Sequence, residues 1–407
     1  MRKHLLSLAL AASAVATSVV GGAGCQHSAQ APAESAITSI PAQSFKRDWG
    51  ANLQLKNDSV ARVVLREDSV FIYTKKNDAF ALNRQTGAIR FTTHVSDTIV
   101  PLHDPVVLKE RIVFPTDSTL EVYRRDGRFE RSYTTSSSLR TNPAGSPTGS
   151  VVVFGVDAPG AGRVVAVDTA PGQYKPIGEK WQLMSNSHVQ VSSGPAIMGG
   201  VVFAAFDDGQ VMAVNADSRA SIWETSTGQT FRTFGAVNAD LRVDEFGVYV
   251  PSTDSKLYCL DKTQGKQKWV YYAGAPLRAS PEVTATMVYL PVTGKGVVAI
   301  DKVNGSPDRG AKWAVRDAVK LVAEDDKYAY FQRTDNAIVA VDKSNGEQRF
   351  TSKRTDFVQF ATNTKDSRIF AATKDGQVLA ITPVLKAGDV GELALELATP
   401  VDAVAMR

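Results

Sequence analysis

The chain has 407 residues, enough for two or three ordinary domains or for one large repeat architecture. Apolar residues at 43% and charged residues at 22% exclude bulk disorder. The formal net charge is +4, and about +2 once Arg2 and Lys3 are set aside with the leader, too balanced for a nucleic-acid or anionic-lipid partner; two cysteines, Cys25 and Cys259, exclude a disulfide framework.

In chain order, the first element is a targeting signal. Met1-Arg2-Lys3-His4 is a short basic start, Leu5 to Val20 is an uncharged apolar run, and Gly21-Gly22-Ala23-Gly24 are all small. That order predicts a secretory signal over residues 1–24. The run is too short and too rich in Ala and Ser for a good membrane span. Gly22-Ala23-Gly24-Cys25 resembles the bacterial lipoprotein box, with Gly22 where that family usually has Leu. The resemblance implies lipidation of Cys25, since several acyl chains give the stable anchoring that one does not. Gln26 lacks the Asp-type signal that retains such lipoproteins at the inner membrane, so the resemblance points to the periplasmic face of the outer membrane. Residues 25–44 are small, polar and proline-containing, and are expected to be a flexible tether.

The rest of the chain repeats. A short apolar motif ends in an Asp-like position eight times, at Asn83, Tyr123, Asp168, Asn215, Asp261, Asp301, Asp342 and Thr382. The steps are 40, 45, 47, 46, 40, 41 and 40 residues, a period that signals a propeller or solenoid. A glycine follows four residues later in most copies (among them Gly87, Gly127, Gly265, Gly305 and Gly346), and an aromatic closes six (Phe91, Trp181, Trp223, Trp269, Trp313, Phe350). Before most motifs lies a short run rich in β-branched and aromatic residues, such as Val70-Phe71-Ile72-Tyr73 or Tyr328-Ala329-Tyr330-Phe331, which reads as a strand. Asp208-Gly209, Asp254-Ser255, Asp335-Asn336 and Asp375-Gly376 each lie seven residues before the motif position, where a tight hairpin needs positive φ.

These observations predict an all-β fold: an eight-bladed propeller of four-stranded antiparallel blades over residues 45–386, followed by a tail, 387–407. The last copy meets Pro383 instead of an aromatic, while Trp49 stands alone near the start. The N-terminal strand around Trp49 is therefore expected to complete the last blade and close the ring, removing exposed sheet edges.

The pattern Ala-x-Asp-x-x-x-Gly-x-x-x-Trp, matched nearly throughout by Cys259-Leu260-Asp261-Lys262-Thr263-Gln264-Gly265-Lys266-Gln267-Lys268-Trp269, resembles the repeat of pyrroloquinoline-quinone-type propellers. In that family the Trp of one blade packs on the Ala and Gly regions of its neighbour, which implies structural roles for Trp49, Trp181, Trp223, Trp269 and Trp313. Eight blades and a lipoprotein signal with no other domain are similar to the propeller lipoproteins of the outer-membrane β-barrel assembly machinery. That resemblance implies a non-catalytic scaffold without cofactor or metal, monomeric, whose partner is the barrel insertase. Docking there uses loops leading into the fourth and fifth blades, rich in Leu-Ser-Leu-Arg and Asp-Val-Asp-Thr-Thr-Pro. Here the blade-four loop reads Val189-Gln190-Val191-Ser192-Ser193-Gly194-Pro195, without the arginine, and the blade-five loop near Phe234-Gly235-Ala236-Val237-Asn238 lacks the aspartate pair. His188, Gln190 and Ser192 are the candidate partner contacts.

Two other classes remain in view. Quinoprotein dehydrogenases of this type use a vicinal cysteine pair, a tryptophan floor and a calcium held by Glu, Asn and Asp; no Cys-Cys pair exists here. A ligand-binding or sensor propeller would place its site in the central channel. Cys259 stands where most copies have Ala and is expected to be a buried structural residue. His103-Asp104, flanked by Pro101 and Pro105, is expected to be loop structure. Glu324-Asp325-Asp326 and Asp207-Asp208 are expected to be solvated turns, and Lys262, Lys302 and Lys343, each just after the motif Asp, to belong to the repeat itself.

Overall fold

The structure, a computed structural model, describes residues 45–170, 178–227, 235–305, 310–352, 356–384 and 391–393. The leader, Cys25, the tether and most of the tail lie outside the described residues. Eight four-stranded antiparallel sheets follow one another in a ring, and no helix occurs among the described residues. Blades one to eight span 60–94, 106–134, 144–183, 196–226, 242–272, 282–315, 318–352 and 357–383.

Burial explains why each blade tolerates its composition. The second strand of blade one, Ser69–Thr74, and that of blade three, Val151–Val156, are buried on both faces and carry the continuous apolar runs Val70-Phe71-Ile72-Tyr73 and Val151-Val152-Val153-Phe154. The outer strands, such as Ile89–His94, are largely exposed and polar. The core is split into layers between neighbouring blades. One cluster joins Val70 and Ile72 of blade one to Phe370 and Ala380 of blade eight, and another joins Tyr258 of blade five to Phe203 of blade four. Each blade therefore buries both faces against its neighbours.

Turn chemistry follows the repeat. Gly209, Ser255, Asn336 and Gly376 all adopt positive φ at the hairpins read from Asp-Gly and its relatives. The motif Asp or Asn is a turn cap. Asp261 Oδ1 accepts the amides of Thr263 and Gln264 at 2.9 and 3.0 Å, and Asn83, Asn215 and Asp301 do the same in their own copies.

The ring closes through its N-terminal strand. Phe45–Asn52 pairs antiparallel with Gln377–Pro383, with Trp49 opposite Ala380. Residues 391–393 add a parallel strand outside Gln348–Ser352, making blade seven five-stranded.

The closing aromatic of one blade lies over the turn of the next. The indole Nε1–H of Trp181, Trp223, Trp269 and Trp313 donates to the carbonyls of Ala216, Lys262, Lys302 and Lys343 at 2.8 to 3.0 Å. Thus the recurring lysines lend their backbone to the seam. Their side chains also reach within the wall: Lys302 Nζ to Asp244 at 2.9 Å, and Lys343 Nζ to Glu324 at 3.3 Å. Two copies depart from the pattern. Arg219 takes the glycine place in blade four at positive φ. In blade two Val122 pairs with Arg131, where other blades pair Ala or Cys with an aromatic, so the seam between blades two and three lacks the ring.

Candidate functional site

Two places bring functional side chains together: the loop leading into blade four, and the cavity at the centre of the ring. In the loop, Ser185 is buried and its Oγ accepts the Val189 amide at 3.1 Å, while His188 sits at positive φ. The His188 and Gln190 side chains are exposed, and Met184 beside them is 41% exposed. Ser192 points inward instead. Its amide and its hydroxyl donate to the two carboxylate oxygens of Asp207 at 3.0 and 2.9 Å. The Asp207 amide in turn donates to the Gln190 carbonyl at 3.1 Å. Asp207 is therefore the anchor of this loop and not a solvated turn residue. Burial raises its carboxyl above the ordinary range, against the lowering effect of the two Ser192 bonds. Of the blade-five loop, residues 228–234 lie outside the described residues.

The central cavity holds about 660 Å³. The first strands of the blades and the loops before them contribute Arg62 and Arg66 (blade one), Asp104 (two), Asn142 (three), Asp240 and Arg242 (five), Glu282 (six) and Lys320 (seven). Asp104 holds both Arg62 and Arg66, at 3.1 and 2.6 Å. Asp240 accepts from Asn142 Nδ2 at 2.8 Å and from the Gly194 amide at 2.9 Å, so one carboxylate ties blades three, four and five together. Burial lowers the His103 pKa, opposed by a hydrogen bond with Asn142. His103-Asp104 is loop structure as read from the sequence, but Asp104 also faces the cavity. The signal was present: a polar or small residue recurs before proline at Asp104-Pro105, Asn142-Pro143, Gly194-Pro195 and Ser280-Pro281.

Burial also corrects one reading. Glu324 is not a solvated turn residue; it is 7% exposed, accepts the Tyr289 hydroxyl of blade six at 2.8 Å and pairs with Lys343. Cys259 is fully buried, and burial pushes its thiol up to about 12, leaving it unreactive. All five tryptophans are buried within the blades, and none lines the cavity.

A pyrroloquinoline quinone does not fit this donor set. The cavity offers no tryptophan floor and no cysteine, and its carboxylates are committed: Asp104 to Arg62 and Arg66, Asp240 to Asn142 and Gly194, Glu282 to Arg242 and Glu67 to Lys365. Among the described residues no cluster of three or more His, Cys, Asp or Glu could hold a metal ion.

The fold and this lining define an eight-bladed propeller of the quinoprotein-repeat type whose central cavity is polar and internally paired. The family model described as outer membrane protein assembly factor BamB matches residues 33–206, 177–307 and 207–349, and the chain belongs to that family. It is 29% identical over 150 residues to the outer membrane protein assembly factor BamB of Nitrosomonas eutropha, covering 36% of this chain and 33% of that protein. The chain thus spans about a third of the length of that curated relative. Among solved structures, BamB from Moraxella catarrhalis matches with a TM-score of 0.63 at 15% identity, over 84% of this chain and 99% of that one. A quinohemoprotein alcohol dehydrogenase from Pseudomonas putida HK5 matches with a TM-score of 0.61 at 12% identity, over 88% of this chain and 78% of that one. At these identities the structural matches speak to the fold alone.

Proposed function

We propose that this chain is a non-catalytic scaffold lipoprotein, anchored through Cys25 to the periplasmic face of the outer membrane, that holds protein partners during outer-membrane β-barrel assembly. Family membership supports the assembly role. The observation that carries the scaffold reading is the loop leading into blade four. It is fastened to the blade by the Ser192–Asp207 bonds and exposes His188 and Gln190 on a rigid support. A preorganised loop loses little conformational freedom on docking. His188 and Gln190 are the contact residues in this reading, and Ser192 positions them. The partner is the barrel insertase, bound by a single propeller.

The test is co-purification. His188→Glu with Gln190→Glu should reduce recovery of the barrel insertase while the melting temperature stays unchanged. Unchanged recovery would remove the loop from the docking surface. Turnover of an alcohol or sugar by the protein supplied with pyrroloquinoline quinone and calcium would overturn the non-catalytic reading.

A further inference from the structure

The turns that follow the motif Asp or Asn share one end of the ring, and the closing strand begins there. Phe45 pairs with Pro383, at the end of Gln377–Pro383 farthest from the hairpin at Asp375-Gly376, and Trp49 lies over the blade-one turn at Gly87. At this end, blades one and two carry exposed apolar side chains at matching places. Ile89 and Phe129 each open the outer strand just after the turn, and they are 46% and 52% exposed. The two blades touch here: a Cβ on Gly127, in the blade-two turn, would fall 2.2 Å from the Phe91 ring of blade one. Cations flank the pair. Asp68 meets both Arg90 and Arg125, at 2.8 and 3.7 Å, and Glu130 meets both Arg111 and Arg124, at 2.7 and 3.0 Å. Asp126 caps the turn by accepting the Arg128 amide at 3.0 Å. Lys109 and Arg128 are exposed, and among the described residues neither side chain has an ion-pair partner. With the exposed Glu110 counted, these six cations face four carboxylates. The near-balance of the whole chain, +4 over 407 residues, therefore conceals a local cationic patch.

We infer that this patch docks the ring on an anionic lipid surface, with Ile89 and Phe129 at the acyl boundary and the flanking cations among the headgroups. Both halves of the patch fit that partner. Arginine and lysine are attracted by the surface potential of an anionic leaflet, and their apolar stems let the charge stay among the headgroups. An exposed aromatic beside them contributes burial that a purely electrostatic contact lacks. An acidic protein would match the charge as well, but the position of the patch favours the bilayer. Residues 25–44 lead from the proposed lipid on Cys25 to Phe45, which enters blade eight at this same end, next to blade one. An anchor that holds this end near the bilayer raises the effective concentration of the patch there, so a weak contact suffices to orient the ring. The hairpins and the blade-four loop, at the opposite end, then face away from the membrane. The anchor belongs to the scaffold reading, and this orientation rests on it; the patch itself does not.

The test is vesicle flotation with the chain from residue 26 onward, which keeps every described residue and lacks the lipid. It should float with vesicles of phosphatidylglycerol and phosphatidylethanolamine and stay behind with vesicles of phosphatidylcholine. It should come off in about 1 M salt, where charges are screened within about 3 Å. Arg128→Glu with Phe129→Ser should weaken binding at least about tenfold, since one charge is reversed and one apolar group removed. Lys295→Glu, the same charge reversal on an exposed hairpin at the opposite end, should leave binding unchanged. Where the double variant lowers the melting temperature, Arg128→Glu alone carries the test. Three results overturn the proposal: equal flotation with both vesicle types, binding by the Arg128 variants as tight as the parent's, or an equal loss with Lys295→Glu. Absence of flotation with either vesicle also overturns it and leaves the patch to an acidic protein. Fatty-acid labelling of Cys25 and recovery of the insertase are read separately, so the scaffold reading can fail while the patch stands, or the reverse.

Discussion

The indole of Trp49 lies directly over Gly87: a Cβ at that glycine would fall 2.4 Å from the ring, and the Trp49 Nε1–H donates to the Arg84 carbonyl at 2.9 Å. One residue of the closing strand thus joins blade eight to blade one by packing and by a hydrogen bond. The same device recurs at Trp223 over Gly265, Trp269 over Gly305 and Trp313 over Gly346.

Trp269→Ala should cost about 3–5 kcal/mol, the usual loss for a large buried aromatic. Trp269 is 7% exposed and packs in the layer between blades five and six. Trp269→Phe should cost less, keeping a ring but forfeiting the Lys302 bond, which contributes about 0.5–1.5 kcal/mol. Equilibrium denaturation in urea separates the two. A loss under about 1 kcal/mol for the alanine variant would mean that the seam does not depend on this ring.

Gly305→Ala tests the other half of the contact. Gly305 has φ +64, and a Cβ there would lie 2.5 Å from Trp269 Cγ. Strain and overlap add, so destabilisation should exceed about 1 kcal/mol. Gly199→Ala, at φ +57 with nothing within 4 Å of its Cβ, should show the backbone cost alone. Equal melting temperatures for the two variants would contradict the close approach.

Deleting residues 1–54 should open the ring. It removes Phe45–Asn52 and bares the edge of Gln377–Pro383 together with the layer that Trp49 covers. Size-exclusion chromatography should report association, and the melting temperature should fall. A monomer that melts like the intact protein would place closure elsewhere.

Acid stability should carry the signature of the turn caps. The Thr263 hydroxyl and amide hold Asp261 below its ordinary carboxylate range, and Ser344 does the same for Asp342. A depressed folded-state pKa adds stability above the unfolded value, near pH 4, and that stability disappears as pH falls through the folded value. Asp261→Asn keeps the cap, as Asn83 and Asn215 do in their copies, and removes the charge. Its stability should therefore vary less with pH below about 4 than that of the parent. Parallel profiles for the two proteins would exclude Asp261 as a contributor.

Much of this was legible in sequence because each blade is specified locally. An Asp or Asn that caps a turn, a glycine at positive φ under a neighbouring ring and a hairpin at Asp254-Ser255 are short-range requirements, and each leaves a residue type at a fixed offset. What escaped reading depends on distant partners. Arg131 sits at the aromatic place of a degenerate copy, where only the strand register reveals it. Glu324 looks like turn solvent until Tyr289 and Lys343 are found against it. The cavity gathers residues from all eight blades, so no single contiguous motif announces it.

The closing strand has a consequence for how the molecule is made. Asp48 and Thr382 bond to each other across 334 residues of sequence. A polypeptide synthesised from its N-terminus must hold Phe45–Asn52 without its sheet partner until residues 377–383 have been added. Until then the growing arc has two bare ends, and every shorter product remains an arc. Closure is therefore a built-in mark of completeness: a chain stopped anywhere before the last blade leaves Phe45–Asn52 unpaired and stays an arc with bare sheet edges instead of a ring.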